Sequence, residues 1–303
     1  MFRCLPERGV VALMILQQLV NGLAVGAVYS LIALGFTMIY GVLRIVNFAH
    51  GSIYMVGAFM GLTVAKHLHT NLWISITVAM LGAAILGILV DHVSTRQLRS
   101  ADPYSALLST LGVSIALSVT AELIWGSSTQ PFPSGMAVHT YEVAGVVVNS
   151  FFLIIIGVTL VLMVALYLFV QKSPLGVAMR AVSHSVDTAR LMGINVDMVI
   201  RMTFAISGAL AAAGGVLVSV YYDAIYPSMG YVAGLKAFTA AVVGGIGSIP
   251  GAILGGFLLG LAENFGAAYL SSGYKDAIAF TILLAVLLIK PAGLLGRHLV
   301  QKL

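Results

Sequence analysis

The chain has 303 residues, 60% of them hydrophobic and 8% charged, with a formal net charge of +5, 33 glycines and one cysteine. Soluble globular chains run about 45–50% apolar and about 25% charged, so these proportions exclude a water-soluble enzyme; the single cysteine excludes a disulfide-stapled domain, and the apolar content excludes disorder. A mean hydropathy of +1.06 and a pI of about 9.4 fit an integral membrane protein with basic loops on one side, and with no run of five or more like charges no nucleic-acid partner is expected.

About 20 apolar residues are needed to cross a hydrocarbon core about 30 Å thick. The uncharged runs are of that order: 35 residues between Arg8 and Arg44, 24 between Lys66 and Asp91, 19 between Asp102 and Glu122, 29 between Glu142 and Lys172, 21 between Arg201 and Asp223, and 26 between Lys236 and Glu263. A last run of 13 residues lies between Asp276 and Lys290 and extends toward Tyr269. The hydrophobic stretches fall at 10–40, 48–65, 72–91, 104–125, 146–170, 202–221, 233–248, 251–270 and 274–290. The fold class expected is an all-α integral membrane protein, a polytopic helix bundle of about eight transmembrane helices with broken or re-entrant segments. Residues 1–303 read as a single membrane domain. The first stretch is long enough for a kinked helix or a helix plus a half-helix. The stretches 48–65 and 233–248 are short and glycine-interrupted, so one or both can enter the membrane without crossing it. A signal peptide over 1–27 is the rival reading of the N-terminus, disfavoured because the apolar run is too long.

Lys and Arg in short loops set the orientation. The loop near 92–103 carries Arg96 and Arg99, the loop 171–201 carries Lys172, Arg180, Arg190 and Arg201, and the tail carries Lys290, Arg297 and Lys302. Loops 126–145 and 222–231 carry none. The basic loops and the C-terminus are therefore placed in the cytoplasm. Parity then puts the N-terminus outside, despite Arg3 and Arg8.

Helices in lipid associate through small residues. The spacings Gly22/Gly26, Gly57/Gly61, Gly247/Gly251/Gly255 and Gly256/Gly260 predict a tight bundle with subunit contacts of its own. Two segments break the helical pattern within apolar sequence. One is Asn47-Phe48-Ala49-His50-Gly51-Ser52-Ile53; the other is Gly244-Gly245-Ile246-Gly247-Ser248-Ile249-Pro250-Gly251. Paired interruptions point to a midplane pathway, with ordinary turns at the membrane surface as the alternative. They make Asn47, His50, Gly51, Gly245 and Gly247 translocation-path candidates. Lys236 and Glu263 join them, because an ionisable group within a span needs a partner, a cavity or another subunit. For Glu263 a structural hydrogen bond between helices and a direct transport role both stay open.

No catalytic constellation is found, and no metal site: the seven histidines are scattered, and neither HExxH, CxxC nor Gly-x-Ser-x-Gly occurs. The glycine-rich run 244–251 is not followed by Gly-Lys-Ser/Thr, so it is not a phosphate loop. No cofactor is expected. The sizeable polar segment inside is 171–201. Ser173-Pro174 suits a helix start, and Val177, Arg180, Ala181, His184, Thr188 and Leu191 can line a short helix. Gly193 supplies its stop, and Ile194-Asn195-Val196 leads into the next span. Such a helix docks on a cytosolic partner or lies on lipid head groups.

Several stretches carry a family resemblance: Tyr29-Ser30-Leu31-Ile32-Ala33-Leu34-Gly35, Asn47-Phe48-Ala49-His50-Gly51, Met179-Arg180-Ala181 with Ala189, Leu191-Met192-Gly193-Ile194-Asn195, Ala262-Glu263 and Tyr274-Lys275-Asp276. The longest runs from Lys236-Ala237-Phe238-Thr239 through Gly244-Gly245-Ile246-Gly247-Ser248-Ile249-Pro250-Gly251-Ala252. In these the chain resembles the permease subunits of bacterial ABC importers for branched-chain amino acids, from Asn21-Gly22 to Leu295-Gly296. The resemblance implies a transport subunit in the bacterial inner (plasma) membrane without an ATPase site of its own. Its implied partners are a second homologous permease subunit, two cytosolic ATPase subunits, a periplasmic or extracellular amino-acid-binding protein, and membrane lipid. It implies that 171–201 is a cytoplasmic coupling loop, with Arg180, Ala181, Asp187, Ala189, Gly193 and Ile194 facing the ATPase. Related loops often carry an acidic residue near 184 or 185, where His184 and Ser185 stand here; Met1 to Val11 has no clear counterpart. The alternatives are a permease for urea, short amides or other amino acids, and a self-contained channel or carrier.

Overall fold

With no charge between Arg8 and Arg44 and no proline to interrupt it, the first stretch forms one continuous helix, α1 (Glu7–Leu43). Of the two readings of this stretch, a kinked helix or a helix plus a half-helix, the continuous helix excludes the second. The computed structural model describes residues 7–68, 71–99, 102–133, 139–143 and 145–296; Arg3, Arg297 and Lys302 lie outside them. The chain turns at Arg44, whose φ is 55°. The Asn47 carboxamide then accepts from the Ala49 amide at 3.1 Å and starts α2 (Ala49–Leu68). α3 (Leu72–Val90) runs on through a π-helical turn, Asp91–Thr95, and a 3-10 turn, Arg96–Leu98. Asp102 caps α4 (Pro103–Trp125).

A hairpin follows, β1 (Thr140–Val143) paired antiparallel with β2 (Val146–Asn149). The hydrophobic stretch counted from 146 thus begins as a strand, where a β-branched run next to a Gly145 turn (φ 82°) favours pleated backbone. Gln17 of α1 fixes it by bonding both the carbonyl and the amide of Val147, at 3.0 and 2.9 Å. Asn149 caps α5 (Ser150–Lys172). Two short helices, α6 (Pro174–His184) and α7 (Val186–Leu191), precede α8 (Val196–Tyr222). The last helices are α9 (Met229–Gly244), α10 (Ile249–Tyr269) and α11 (Lys275–Ile289).

Seven of the described helical segments are long and apolar enough to cross a membrane. α2 is not among them, and the reason is its position: nearly every residue is buried among α3, α4, α8 and α9, so it needs no lipid-facing surface. α9 has 16 residues, about 24 Å of helix, less than a full crossing. α1 and α8 are mostly enclosed, while α4 and α11 present almost all their surface outward.

Most of the glycine spacings pack within the chain. Gly22 and Gly26 of α1 face Gly256 and Gly260 of α10 backbone to backbone; a Cβ on Gly256 would lie 2.3 Å from the Ser30 amide nitrogen, and one on Gly260 2.3 Å from that of Gly26. A Cβ on Gly57 would sit 2.4 Å from the Ala212 Cβ of α8. Gly251 and Gly255 of α10 meet Gly244 and Ala240 of α9. Backbones this close maximise dispersion contact, which replaces the hydrophobic effect in lipid.

The ends of the bundle sort as parity requires. Loops 126–133 and 223–228 meet through paired backbone bonds between Gln130 and Ile225, 2.9 Å each, and Lys66 reaches the Gln130 side chain at 2.7 Å. At the other end Arg99 pairs with Asp197, and the segment after α11 bonds back to α9 through Leu294 to Val243 and Leu295 to Gly244, both 2.9 Å.

Gly256→Leu is expected to abolish recovery of folded protein, since the nearest atoms are backbone that cannot yield, whereas overpacking with softer neighbours costs about 1–3 kcal/mol. Gly112→Leu and Gly157→Leu, with open space at both positions, are expected to match the parent. Monodisperse yield on size exclusion in detergent reads the difference.

Candidate functional site

Four helices converge on one ammonium group. Lys236 of α9 lies 3.1 Å from Glu263 of α10, 2.8 Å from Asp276 of α11 and 3.4 Å from the hydroxyl of Tyr29 of α1. The Tyr29 hydroxyl donates to Glu263 Oε2 at 2.8 Å, and the Lys236 ammonium donates to the same oxygen at 3.1 Å. Glu263 Oε1 is equally near the ammonium but lies outside hydrogen-bonding geometry and accepts no bond. Glu263 and Lys236 are buried, while the Asp276 side chain is 56% exposed. The Tyr29 ring also stacks beneath the ammonium, 5.7 Å from centroid to Nζ, within cation–π range.

Tyr29, Lys236 and Asp276 of this cluster border a cavity of about 470 Å³. Its walls are Val25 and Val28 of α1, Ile155 of α5 and Val232 and Ala233 of α9, with Tyr54, Tyr221, Tyr222 and Tyr226 above. It opens at the end of the bundle that carries loop 223–228. The volume falls within the range of about 300–1,000 Å³ for small-ligand sites, and an apolar wall with a few convergent polar groups is their usual composition.

A second cavity, about 560 Å³, lies at the opposite end. Tyr40 of α1 and Arg44 just after it, Tyr167 of α5, Arg180 and His184 of α6, and residues Ile246 to Pro250 border it. Gly245 and Gly247 occupy left-handed backbone in the turn that joins α9 to α10, with φ of 108° and 87°, conformations that favour glycine. Gly247 lines the cavity. A Cβ on Gly245 would lie 2.3 Å from the Gly296 amide nitrogen, because the segment after α11 presses on it.

The other path candidates border neither cavity. His50 is fully buried, its Nε2 3.1 Å from the Ile32 carbonyl and its Nδ1 3.2 Å from the Ser207 hydroxyl. Gly51 packs on α9, where a Cβ would approach the Gly230 carbonyl to 2.2 Å. Asn47 caps α2 and is buried. Of the seven path candidates, the structure brings together Lys236 and Glu263 in one contact. Tyr29 and Asp276 complete that contact but were absent from the candidates. A count of charges had part of the signal: between Asp223 and Lys290 stand only Lys236, Glu263, Lys275 and Asp276, and those enclosed by apolar sequence need partners.

The loop 171–201 forms two helices rather than one. Ser173 caps α6 through the Gly176 amide at 2.9 Å, the helix start expected at Ser173-Pro174. Ser185 then takes extended backbone (φ −158°) and accepts from the Thr188 amide at 3.2 Å to start α7. A serine able to cap a new helix divides the segment. Gly193 (φ 80°) ends α7, and Asn195 caps α8 through Met198. Arg180 donates to the Val170 carbonyl, tying α6 to α5. Ala189 is buried, Ala181 and Ile194 half-buried, Asp187 and Gly193 exposed. Leu191 and Met192 stand out at 87% and 77% exposure.

One further cluster links this end together. Asp91, fully buried, accepts from Arg99 Nη2 on both carboxylate oxygens, 2.7 and 2.8 Å, and from the Thr95 hydroxyl at 2.6 Å. Arg99 also binds Asp197 in the first turn of α8.

Comparison with known proteins places this geometry. A family model described as branched-chain amino acid transport system / permease component matches residues 18–287. The high-affinity branched-chain amino acid transport system permease protein BraD of Pseudomonas aeruginosa is 42% identical over 299 residues, covering 95% of this chain and 97% of its own. The corresponding LivH of Salmonella typhimurium is 41% identical with the same coverage. A probable branched-chain amino acid transport permease protein LivH of Methanocaldococcus jannaschii is 29% identical, covering 88% of both chains.

Lys236→Met is expected to destabilise by about 3–5 kcal/mol, the cost of stranding a buried carboxylate. Lys236→Met combined with Glu263→Gln is expected to recover much of that loss. Thermal unfolding in detergent, read as Tm, checks both.

Proposed function

The chain belongs to the branched-chain amino acid transport system permease family, and on that premise we propose that it is the membrane-spanning subunit of an ATP-driven importer that carries branched-chain amino acids into the cytoplasm. The observation that carries the reading is the family match over residues 18–287, joined to relatives whose own chains are covered almost end to end. A permease component of a transport system works with partner subunits. Those proposed here are a second homologous permease subunit, two cytosolic ATPases that hold the hydrolytic site, and a binding protein that delivers substrate.

The proposed orientation puts loops 92–99 and 171–195 and the C-terminus in the cytoplasm of a cell with this chain in its inner membrane. Supporting it is the distribution of Lys and Arg: Arg44, Arg96, Arg99, Lys172, Arg180, Arg190, Arg201 and Lys290 gather toward one end, Arg8, Lys66 and Lys275 toward the other. Cytoplasmic loops carry that excess. Residues 1–303 then act as one translocating unit, with 171–201 its cytoplasmic coupling loop.

α6 and α7 are the proposed contact with the ATPase. Their inner side, Met179, Val182 and Ala189, is buried against the bundle, and their tip exposes Leu191 and Met192. Two capped helices pressed on α1, α5 and α8 move as a body, so displacement at the tip reaches the spans. Arg180 serves this arrangement by locking α6 to the end of α5; Asp187 and Gly193 stand at the open face. Gly193 supplies the left-handed turn that aims Leu191 and Met192 outward.

Met192→Asp with Leu191→Asp is expected to leave insertion and folding intact, lower uptake of labelled leucine, isoleucine and valine at least about tenfold, and weaken copurification of the ATPase. Tenfold corresponds to about 1.4 kcal/mol of lost interface. Unchanged uptake and copurification overturn the coupling role, and uptake of urea in place of the amino acids overturns the substrate class. With Cys4 replaced by serine, impermeant thiol labelling of intact cells, expected at Val147→Cys and not at Met192→Cys, tests the orientation.

A further inference from the structure

We propose that the cavity floored by Lys236 and Asp276 is a transit site for the zwitterionic head of an apolar α-amino acid, with Lys236 receiving its carboxylate and Asp276 its ammonium. The inference rests on the importer reading and deepens it by naming the groups that recognise the cargo within the membrane.

The first argument is charge. The floor holds one ammonium against two carboxylates. Glu263 is sealed from the cavity, held by Tyr29 and Lys236, and by itself balances Lys236. Asp276 is the surplus negative charge, and it is the member that faces open space, with 56% of its side chain exposed. A carboxylate at the mouth of an apolar cavity recruits a cation.

The second argument is stoichiometry. An ammonium has three donors, and those of Lys236 reach Glu263, Tyr29 and Asp276. A simple cation would pair with Asp276 and leave the third Lys236 donor unfilled when Asp276 turned away. A simple carboxylate would displace Asp276 and leave it unpaired. A zwitterion satisfies both: its carboxylate takes the place of Asp276 on Lys236, and its ammonium accompanies Asp276. One ion pair is exchanged for two, and every Lys236 donor keeps an acceptor. The pair that opens has a half-exposed partner, and such pairs are weak, so the exchange suits a site that must also release.

The third argument is the wall. Beside the charges, Val25, Val28, Ile155 and Val232 form an aliphatic patch that gains from covering an aliphatic side chain, flanked by Tyr54, Tyr221, Tyr222 and Tyr226.

The test uses the assembled importer, nucleotide-free, in proteoliposomes. The single cysteine, Cys4, is replaced by serine, and Ala233→Cys, which lines the cavity, is labelled on this chain with an impermeant thiosulfonate. Leucine is expected to slow labelling about tenfold at about ten times its dissociation constant. Isopentylamine, without the carboxylate, and 4-methylpentanoate, without the ammonium, are expected to slow it much less at the same concentration. Asp276→Asn is expected to remove leucine protection, and Asp276→Glu to retain it. Absence of leucine protection, equal protection by either half-molecule, or protection that survives Asp276→Asn overturns the proposal. Binding-protein-dependent leucine uptake by the same vesicles separates the two readings: uptake without protection sinks the site alone, and no uptake sinks the importer reading.

Discussion

An ammonium group inside an apolar bundle must be neutralised there, and the packing of the last three long helices follows from how Lys236 meets that demand. Its partners come from three other helices: Tyr29 from α1, Glu263 from α10, Asp276 from α11. Side chains on a helix point 100° apart from one residue to the next, so α9 cannot turn by one position without losing all three. Nor can α10 stand away from α1. Gly256 against Ser30 and Gly260 against Gly26 bring those two backbones close enough for the Tyr29 hydroxyl to reach Glu263 at 2.8 Å. The glycines set the distance, and the charges set the rotation. Either alone would leave the register of four helices loose.

The opposite end uses the same device with different residues. Asp91 is fully enclosed and would be intolerable as a lone charge; Arg99 folds back on it and also holds Asp197. The π-helical turn at Asp91–Thr95 bends the exit of α3 so that this contact closes. The start of α8 is thereby fixed to the end of α3 immediately after the exposed α6–α7 segment. The bundle is pinned by buried charge near each end, with glycine-mediated contacts between.

Much of the fold was legible because one variable, the absence of charge over membrane-length runs, determines where helices lie. The stretches at 72–91 and 104–125 agree with α3 and α4, and the interruption at 244–248 is where α9 ends and α10 begins. Apolarity alone fails where local chemistry competes. It counted Val146 to Asn149 as membrane helix, although β-branched residues beside a glycine turn pair as a strand. It gave one helix over Val177 to Leu191, where Ser185 starts a second. Helix spacing of small residues showed that backbones would touch without saying which, and each glycine pair found its neighbour in the same chain. The site was half legible: Lys236 and Glu263 stood out as charges within apolar runs, but their pairing spans 27 positions and that with Tyr29 spans 207, beyond any periodic pattern. His50 stood out as part of the interruption at 47–53, and its ring is taken up by the Ile32 carbonyl and Ser207, a polar side chain joining helices.

The two cavities are not independent, because one element borders both. Lys236 of α9 lies at the floor of the first, and the turn that joins α9 to α10 edges the second, facing Arg180 and His184 of α6. Gly244, Gly251 and Gly255 hold α9 and α10 backbone to backbone, and the segment after α11 bonds to Val243 and Gly244, so the turn is stiff rather than a slack loop. A stiff hairpin transmits displacement along its length. A displacement of the turn is therefore carried by α9 over the two helical turns that separate Gly244 from Lys236, to the contact on which four helices converge. Buried ion pairs respond to such movement in a nearly all-or-none way: a partner drawn out of reach leaves a charge in low dielectric, where it is costly. That places the four-helix contact beside the first cavity, on the same hairpin whose turn borders the second.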